Sequence, residues 1–172
     1  RDASGAWVYK AGPGPAVLYR LPEVTTAIAE GRTIFVCEGE KDCDRLAKSG
    51  MVATTNIEGA AQPQQRAKWR KEYTAQLAGA ARVILLPDND GPGKAHMATI
   101  AAQLASQVGE VRVLELPGLP VKGDVSDWLN QGHTVDELKA LARSASAEPS
   151  ASPSNDAGKP AKPERESEPD GK

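Results

Sequence analysis

Thr33-Ile34-Phe35-Val36-Cys37-Glu38-Gly39-Glu40-Lys41-Asp42 passes abruptly from a continuous apolar run to a cluster of charge. An uninterrupted run of that length suits a strand covered on both faces, as in a parallel sheet. Glu40 to Ser49 then reads as a helix, with Cys43, Leu46 and Ala47 on one side and Gly50 as its stop. Working outward, the alternation continues. Met51-Val52-Ala53-Thr54 is a second strand, and Pro63 to Ala78 a helix whose buried stripe is Trp69, Tyr73 and Leu77. Arg82 to Leu86 is a third strand, Pro92 to Gln107 a third helix and Val111 to Leu116 a fourth strand. Asp127 to Asn130 makes a short helical turn, and Thr134 to Arg143 a last helix with Leu138 and Leu141 inward. Strands alternating with helices predict right-handed crossovers and an α/β domain with a compact, mostly parallel four-stranded sheet flanked by helices.

The flanks differ in composition. Residues 1–31 form an N-terminal extension: Trp7-Val8-Tyr9 and Val17-Leu18-Tyr19 around Gly12-Pro13-Gly14-Pro15 predict a hairpin, and Glu23 to Glu30 a short helix closed by Gly31. The α/β domain occupies 32–143. From 144 to 172 no aromatic or branched aliphatic residue occurs, so that stretch is expected to be a disordered tail or linker. The first residue is Arg1 rather than Met, which suggests an excerpt of something longer.

Of the 172 residues, 21 are basic and 23 acidic; four basic and six acidic ones fall in the tail, leaving 17 of each in residues 1–143. A neutral body argues against a general coat for polyanions while allowing a local basic patch. No apolar run approaches the roughly 18 residues that span a bilayer, and the N-terminus lacks a basic segment leading into an apolar one. Cys37 and Cys43, in a C-x5-C spacing, match no common zinc pattern and read as free thiols in a reducing cytosol.

In an open parallel sheet, ligands bind beyond the carboxyl ends of the strands. Glu38-Gly39-Glu40-Lys41-Asp42 follows the first strand, Pro87-Asp88-Asn89-Asp90-Gly91-Pro92-Gly93-Lys94 the third, and Lys122-Gly123-Asp124-Val125-Ser126-Asp127 lies beyond the fourth. Three acidic clusters are thus expected on one edge. Residues two apart in extended chain point the same way, so Asp88 and Asp90 can face one ion, with Glu38 completing the set. Hard oxygen ligands on an open rim suit Mg²⁺ or Mn²⁺, which keep waters and take further ligands from phosphate. Gly39 and Gly91 would let backbone and polyanion approach, and Lys41, Lys94 and Lys122 are placed for phosphate oxygens. Metal-assisted phosphoryl transfer follows as the reaction class. Plainer readings stand beside it: Asp-Asn-Asp-Gly-Pro-Gly is also good turn chemistry, and an Asp before Gly-Pro can cap the next helix. An EF-hand is excluded, because Leu86 stands where the first ligand belongs and Met97 where the bidentate Glu belongs. A P-loop is absent. His96 and His133 have no partner at metal-ligand spacing. Arg66, Lys68, Arg70 and Lys71 surround Trp69, a basic run better read as the solvated face of a helix than as a DNA-facing patch.

Phe-Val-Cys-Glu38-Gly-Glu-Lys-Asp42, Ala-Thr-Thr-Asn-Ile-Glu-Gly59-Ala and Leu-Pro-Asp88-Asn-Asp90-Gly-Pro-Gly, in that order, resemble the Toprim domain of bacterial-type DNA primases, topoisomerases, recombination mediators and certain nucleases. The Glu-Gly-x-x-Asp and Asp-x-Asp-x-x-Gly forms, with LELPGLPVKGDVSDWL, look most like primases of phages, plasmids and integrated elements. The resemblance covers about residues 32–130 and implies a Rossmann-like Toprim fold. It implies that Glu38, Asp88 and Asp90 are catalytic, that these and Asp124 bind Mg²⁺ or Mn²⁺, and that Glu38 serves as ligand or general acid/base. Asp42, Asp127, Gly39 and Gly59 would support the site. The chain departs from the cellular primase pattern in lacking a Cys/His zinc ribbon and a basic N-terminal subdomain, and in carrying Asn89 where Gly is usual.

Four functions follow. The first is the catalytic domain of a DNA primase, making RNA primers on a single-stranded DNA template from nucleotides in the cytoplasm, with a fused or separate replicative helicase or ATPase as partner and no membrane. The second is a Toprim-type metal-dependent nuclease using the same carboxylates. The third is a non-catalytic nucleic-acid-binding module of a mobile-element replication or recombination protein. A phospho-accepting receiver is the fourth, and it leaves the Asp-x-Asp pair unexplained. Topoisomerase activity would need a nucleophilic tyrosine, and Tyr9, Tyr19 and Tyr73 all sit in structural runs.

Overall fold

The computed structural model describes residues 16–56 and 69–144. Over these the chain runs α1 (Leu21–Ala29), β1 (Ile34–Val36), α2 (Glu40–Lys48), β2 (Val52–Thr54), α3 (Lys71–Leu77), β3 (Val83–Leu85), α4 (Gly91–Leu104), β4 (Val111–Val113), α5 (Val125–Asn130) and α6 (Val135–Ser144). The four strands form one sheet in the order β2-β1-β3-β4, and every pairing is parallel. The central ladder sets Ile34 against Val83 and Val36 against Leu85. Pairing continues past the strand ends: the Cys37 amide donates to the Thr54 carbonyl at 3.0 Å and that of Leu86 to Val36 at 2.9 Å.

Period-two alternation distributes the strand residues between two cores. Ile34, Val36, Val52, Val83, Leu85 and Val111 pack with Val24 of α1, Tyr73 and Leu77 of α3, and Met97, Ile100 and Leu104 of α4. Phe35, Ala53, Ile84 and Leu86 pack with Cys43 and Leu46 of α2, Val125, Trp128 and Leu129 of α5, and Leu138 of α6. The result is a three-layer α/β/α sandwich, as the alternation of elements requires.

Two expectations change. The predicted helix over 63–78 is α3 alone within the described residues, because Arg70 is extended (φ −106°, ψ 156°). Trp69 still reaches the core beside Tyr73, its ring 5.3 Å from the tyrosine ring and its indole N–H donating to Thr74 Oγ1 at 2.9 Å. A buried aromatic four residues before Tyr73 imitates helical spacing while lying ahead of the helix. Val17 and Leu18 likewise lie outside any strand. The Leu18 amide donates to Gln76 Oε1 at 2.8 Å and the Tyr19 amide to the Thr55 carbonyl at 2.9 Å, which fastens the entering chain to α3 and the end of β2. The first run of the expected hairpin, Gly59, Arg66, Lys68 and the 145–172 tail fall outside the described residues. Among the described residues no helix is long and apolar enough to cross a membrane, and both cysteines are buried free thiols.

Candidate metal centre

The chain leaves β1 toward β2 on one side and returns to β3 on the other, so the crevice at the carboxyl ends of β1 and β3 is a topological switch point. Glu38 follows β1 and Asp88 follows β3, and both arrive there. Glu38 Oε1 accepts the Asp88 amide N–H at 2.8 Å, joining two acidic residues 50 positions apart. Asp90 closes the same loop: its amide donates to the Asp88 carbonyl at 2.7 Å, and its Oδ1 caps α4 by accepting the Gly93 amide at 2.8 Å. The cap reading and the site reading of Asp90 are therefore compatible.

Gly93 permits this closeness. A Cβ at that position would lie 2.1 Å from Glu38 Oε1 and 3.1 Å from both the Asp88 carbonyl and Asp90 Oδ1. The absence of a side chain lets Glu38 sit against the first turn of α4, where the helix dipole favours negative charge. Gly39 and Gly91 are not so constrained; a Cβ at Gly39 would meet only Asp42 Oδ2 at 3.8 Å, and one at Gly91 would meet nothing.

The third acidic cluster is built on the start of α5. Asp124 caps that helix, its Oδ1 accepting the Asp127 amide at 2.8 Å while Asp127 Oδ2 accepts the Asp124 amide at 3.3 Å. Asp124 Oδ2 also accepts from Lys41 Nζ at 2.9 Å. Asp42, only 5% exposed, binds the amide and hydroxyl of Ser126 through Oδ1 and so docks α2 onto α5. Lys94 pairs with Glu115 at 2.6 Å, and Lys122 is exposed with a left-handed backbone (φ 65°).

Burial acts in the same direction on Glu38, Asp42 and Asp88. Burial pushes Asp88 up to about 7, reinforced in turn by Glu38, Asp42, Asp124 and Asp90. Burial also raises Glu38, against the opposing Asp88 N–H bond and with added repulsion from Asp90 and Asp42. Asp42 is raised by burial too, partly offset by the Ser126 hydroxyl. Negative charge is thus gathered in a partly desolvated crevice and only partly neutralised, an arrangement that a divalent cation would relieve. Among the described residues no three His, Cys, Asp or Glu side chains form a ready-made ligand group. An oxygen-only donor set of this kind suits a hard ion that keeps waters and shares phosphate ligands rather than a closed structural site.

No protein-family model matches the chain, and no curated protein matches it. Solved structures do. Over 76% of its length the chain is similar to the zinc-binding and RNA polymerase domains of the Aquifex aeolicus primase, with a TM-score of 0.59 and 25% identity, covering 30% of that chain. It is also similar to a DNA primase domain from Pseudomonas aeruginosa, with a TM-score of 0.57 and 21% identity, over 76% of this chain and 38% of that one. The fold is the Toprim fold of bacterial DNA primases. The chain spans about a third of the length of those two solved structures.

Within this Toprim fold, Glu38, Asp88, Asp90, Asp124, Asp42 and Asp127 all lie around the switch-point edge. Lys41 reaches it through Asp124. Lys94 and Asp88 line one small cavity with Pro87, Asn89, Glu115, Leu116 and Leu119. A larger cavity of about 350 Å³, lined by Arg20, Arg32 and the start of β2, contains none of the site carboxylates. Trp128 stacks on His133 at 4.1 Å, which gives that histidine a packing role, and His96 is buried within α4. Sequence reading missed two residues. Gly93 stood in the quoted motif without a role, and its place three residues after Asp90 is the only signal it offered. Asn89, which bonds to the loop before Asp124, stood out only as a departure from the usual Gly and was given no role.

Proposed function

We propose that this chain is the metal-binding catalytic domain of a DNA primase, joining ribonucleotides into short RNA primers on a single-stranded DNA template. The observation that carries this reading is the meeting of Glu38 and Asp88 across the central strand pair, through the 2.8 Å bond, in a fold shared with primase domains. Asp88, Asp90 and Asp124, with Glu38, would hold Mg²⁺ or Mn²⁺. When bound, such ions supply charge neutralisation for the attacking 3′ hydroxyl and the departing pyrophosphate. Where it is not itself a ligand, Glu38, whose proton affinity is raised by burial, would accept the hydroxyl proton. Asp42 and Asp127 position α5, and hence Asp124, against the crevice. Lys41 and Lys94, now paired with Asp124 and Glu115, and the exposed Lys122 would contact phosphate oxygens of nucleotide or template. A fused or separate helicase, in the cytoplasm, would supply the unwound template.

The test compares this chain with an Asp88→Ala/Asp90→Ala twin. Mn²⁺ binding is followed by electron paramagnetic resonance, and primer synthesis by incorporation of labelled ribonucleotides on single-stranded DNA. The reading expects binding and short labelled products from the parent chain and neither from the twin. Parent binding accompanied by cleavage of the DNA would select the nuclease reading. No Mn²⁺ binding by the parent would overturn both.

A further inference from the structure

Asn89 stands between the two aspartates of the Asp-x-Asp loop, and its hydrogen bonds run to a different loop altogether. Its amide donates to the Gly123 carbonyl at 2.9 Å, and its carbonyl accepts the Lys122 amide at 3.0 Å. Its side-chain Nδ2 donates to the carbonyls of Leu119 and Pro120, at 2.8 and 3.1 Å. Both protons of the amide group are thereby aimed at backbone oxygens some 30 positions along the chain. The loop they hold is tightly folded in its own right. The Gly123 amide returns to the Pro120 carbonyl at 2.9 Å, Lys122 adopts φ 65°, and a Cβ at Gly123 would lie 2.8 Å from the Pro120 ring.

We propose that Asn89 is a positioning residue that registers the Leu119–Asp124 loop, and with it the Asp124 carboxylate, against Asp88 and Asp90. The proposal rests on the metal-site reading above and adds to it a residue whose side-chain amide is bonded to backbone carbonyls of the neighbouring loop. The geometry is direct: the peptide on one side of Asp88 is bonded to the peptide on one side of Asp124, so the two carboxylates cannot slide past each other while the four bonds hold. The side chain matters because only a two-proton donor satisfies both Leu119 and Pro120. Alanine or glycine keeps the two backbone bonds and loses the two side-chain bonds. Aspartate would oppose a carboxylate to two carbonyl oxygens.

Partners that orient ligands typically change metal affinity by about 10- to 100-fold when removed. The test measures Mn²⁺ affinity by electron paramagnetic resonance for the parent chain, Asn89→Ala, Asn89→Asp, Asp124→Asn and the Asn89→Ala/Asp124→Asn double variant, with thermal unfolding in EDTA alongside. The expected result is a Kd about 10-fold weaker for Asn89→Ala, a larger loss for Asn89→Asp, and no further loss when Asn89→Ala is added to Asp124→Asn. A merely structural role would lower the melting temperature and weaken binding by the same factor in both backgrounds. Equal factors, or an unchanged Kd in Asn89→Ala, overturn the proposal while leaving the metal site standing. A parent chain that binds no Mn²⁺ overturns the site and the proposal together. If Asn89→Ala does not fold, Asn89→Gly replaces it with the same expectations.

Discussion

Asp88→Asn should stabilise the metal-free domain at about pH 8 and leave it nearly unchanged at about pH 4. In the native state the carboxyl is pushed from 3.8 up to about 7, first by burial and then by four acidic neighbours. Folding therefore raises its proton affinity. The stability that this group contributes is full below its unfolded pKa of 3.8 and is lost as pH rises through about 7. Converted in full, a shift from 3.8 to about 7 corresponds to about 4 kcal/mol. The carboxyl is partly open to water, which screens such couplings, so about 2 kcal/mol is the working figure. For a domain of this size that moves the melting temperature by about 8 °C. The assay is thermal unfolding by circular dichroism in EDTA, at steps from about pH 4 to about pH 8.5. The two proteins should coincide at the acid end and separate as pH rises, with the variant the more stable. Adding Mn²⁺ at about 100 times its Kd should reverse the order, because the bound ion stabilises the parent by about 2.7 kcal/mol. Parallel pH profiles, or a variant less stable at about pH 8 in EDTA, would refute the account of this crevice as incompletely neutralised negative charge.

Gly93→Ala should leave the fold intact and displace Glu38, because the obstructing atom at 2.1 Å is the end of a flexible side chain; Mn²⁺ affinity should fall about 10-fold or more while the melting temperature moves by only a few degrees. Asp42→Ala strands the buried Ser126 amide and hydroxyl and should cost about 1–3 kcal/mol by urea unfolding. Asp42→Asn keeps an acceptor for them and should recover most of that loss. Trp128→Ala removes a side chain that is 1% exposed, with its indole N–H on the Pro117 carbonyl at 3.0 Å, and should cost about 3–5 kcal/mol in the same assay.

Whereas the edge strand β4 carries the half-buried Arg112 between its two valines, the two central strands were readable because each is an apolar run facing a core on both sides, Ile34-Phe35-Val36 and Val83-Ile84-Leu85. Their sequence-predicted lengths exceed the three-residue ladders because residues such as Cys37 and Leu86 remain buried and bonded just past the strand ends. The carboxylates were readable for a related reason, since residues that follow parallel strands share one edge by topology. The start of α3 was not, because Trp69 packs into the core from an extended segment and periodicity registers burial rather than helicity. Nor was the pairing of Lys41 with Asp124, or of Asp42 with Ser126. Those contacts join residues 83 and 84 positions apart and leave no trace in local composition.

Those separations also set the order in which the centre can come into being. Glu38 is synthesised 50 residues before Asp88, and Lys41 83 residues before Asp124. A chain emerging from the ribosome can close β1 onto β2 early, yet β3 must then take the opposite side of β1 before the first two acids meet. Asp124 joins only when α5 docks. No short fragment holds the centre, and long-range closures of this kind are the slow part of folding. The repulsion between Glu38 and Asp88 is therefore met as soon as β3 pairs with β1, and the contribution of Asp124 is added only when α5 completes the second core.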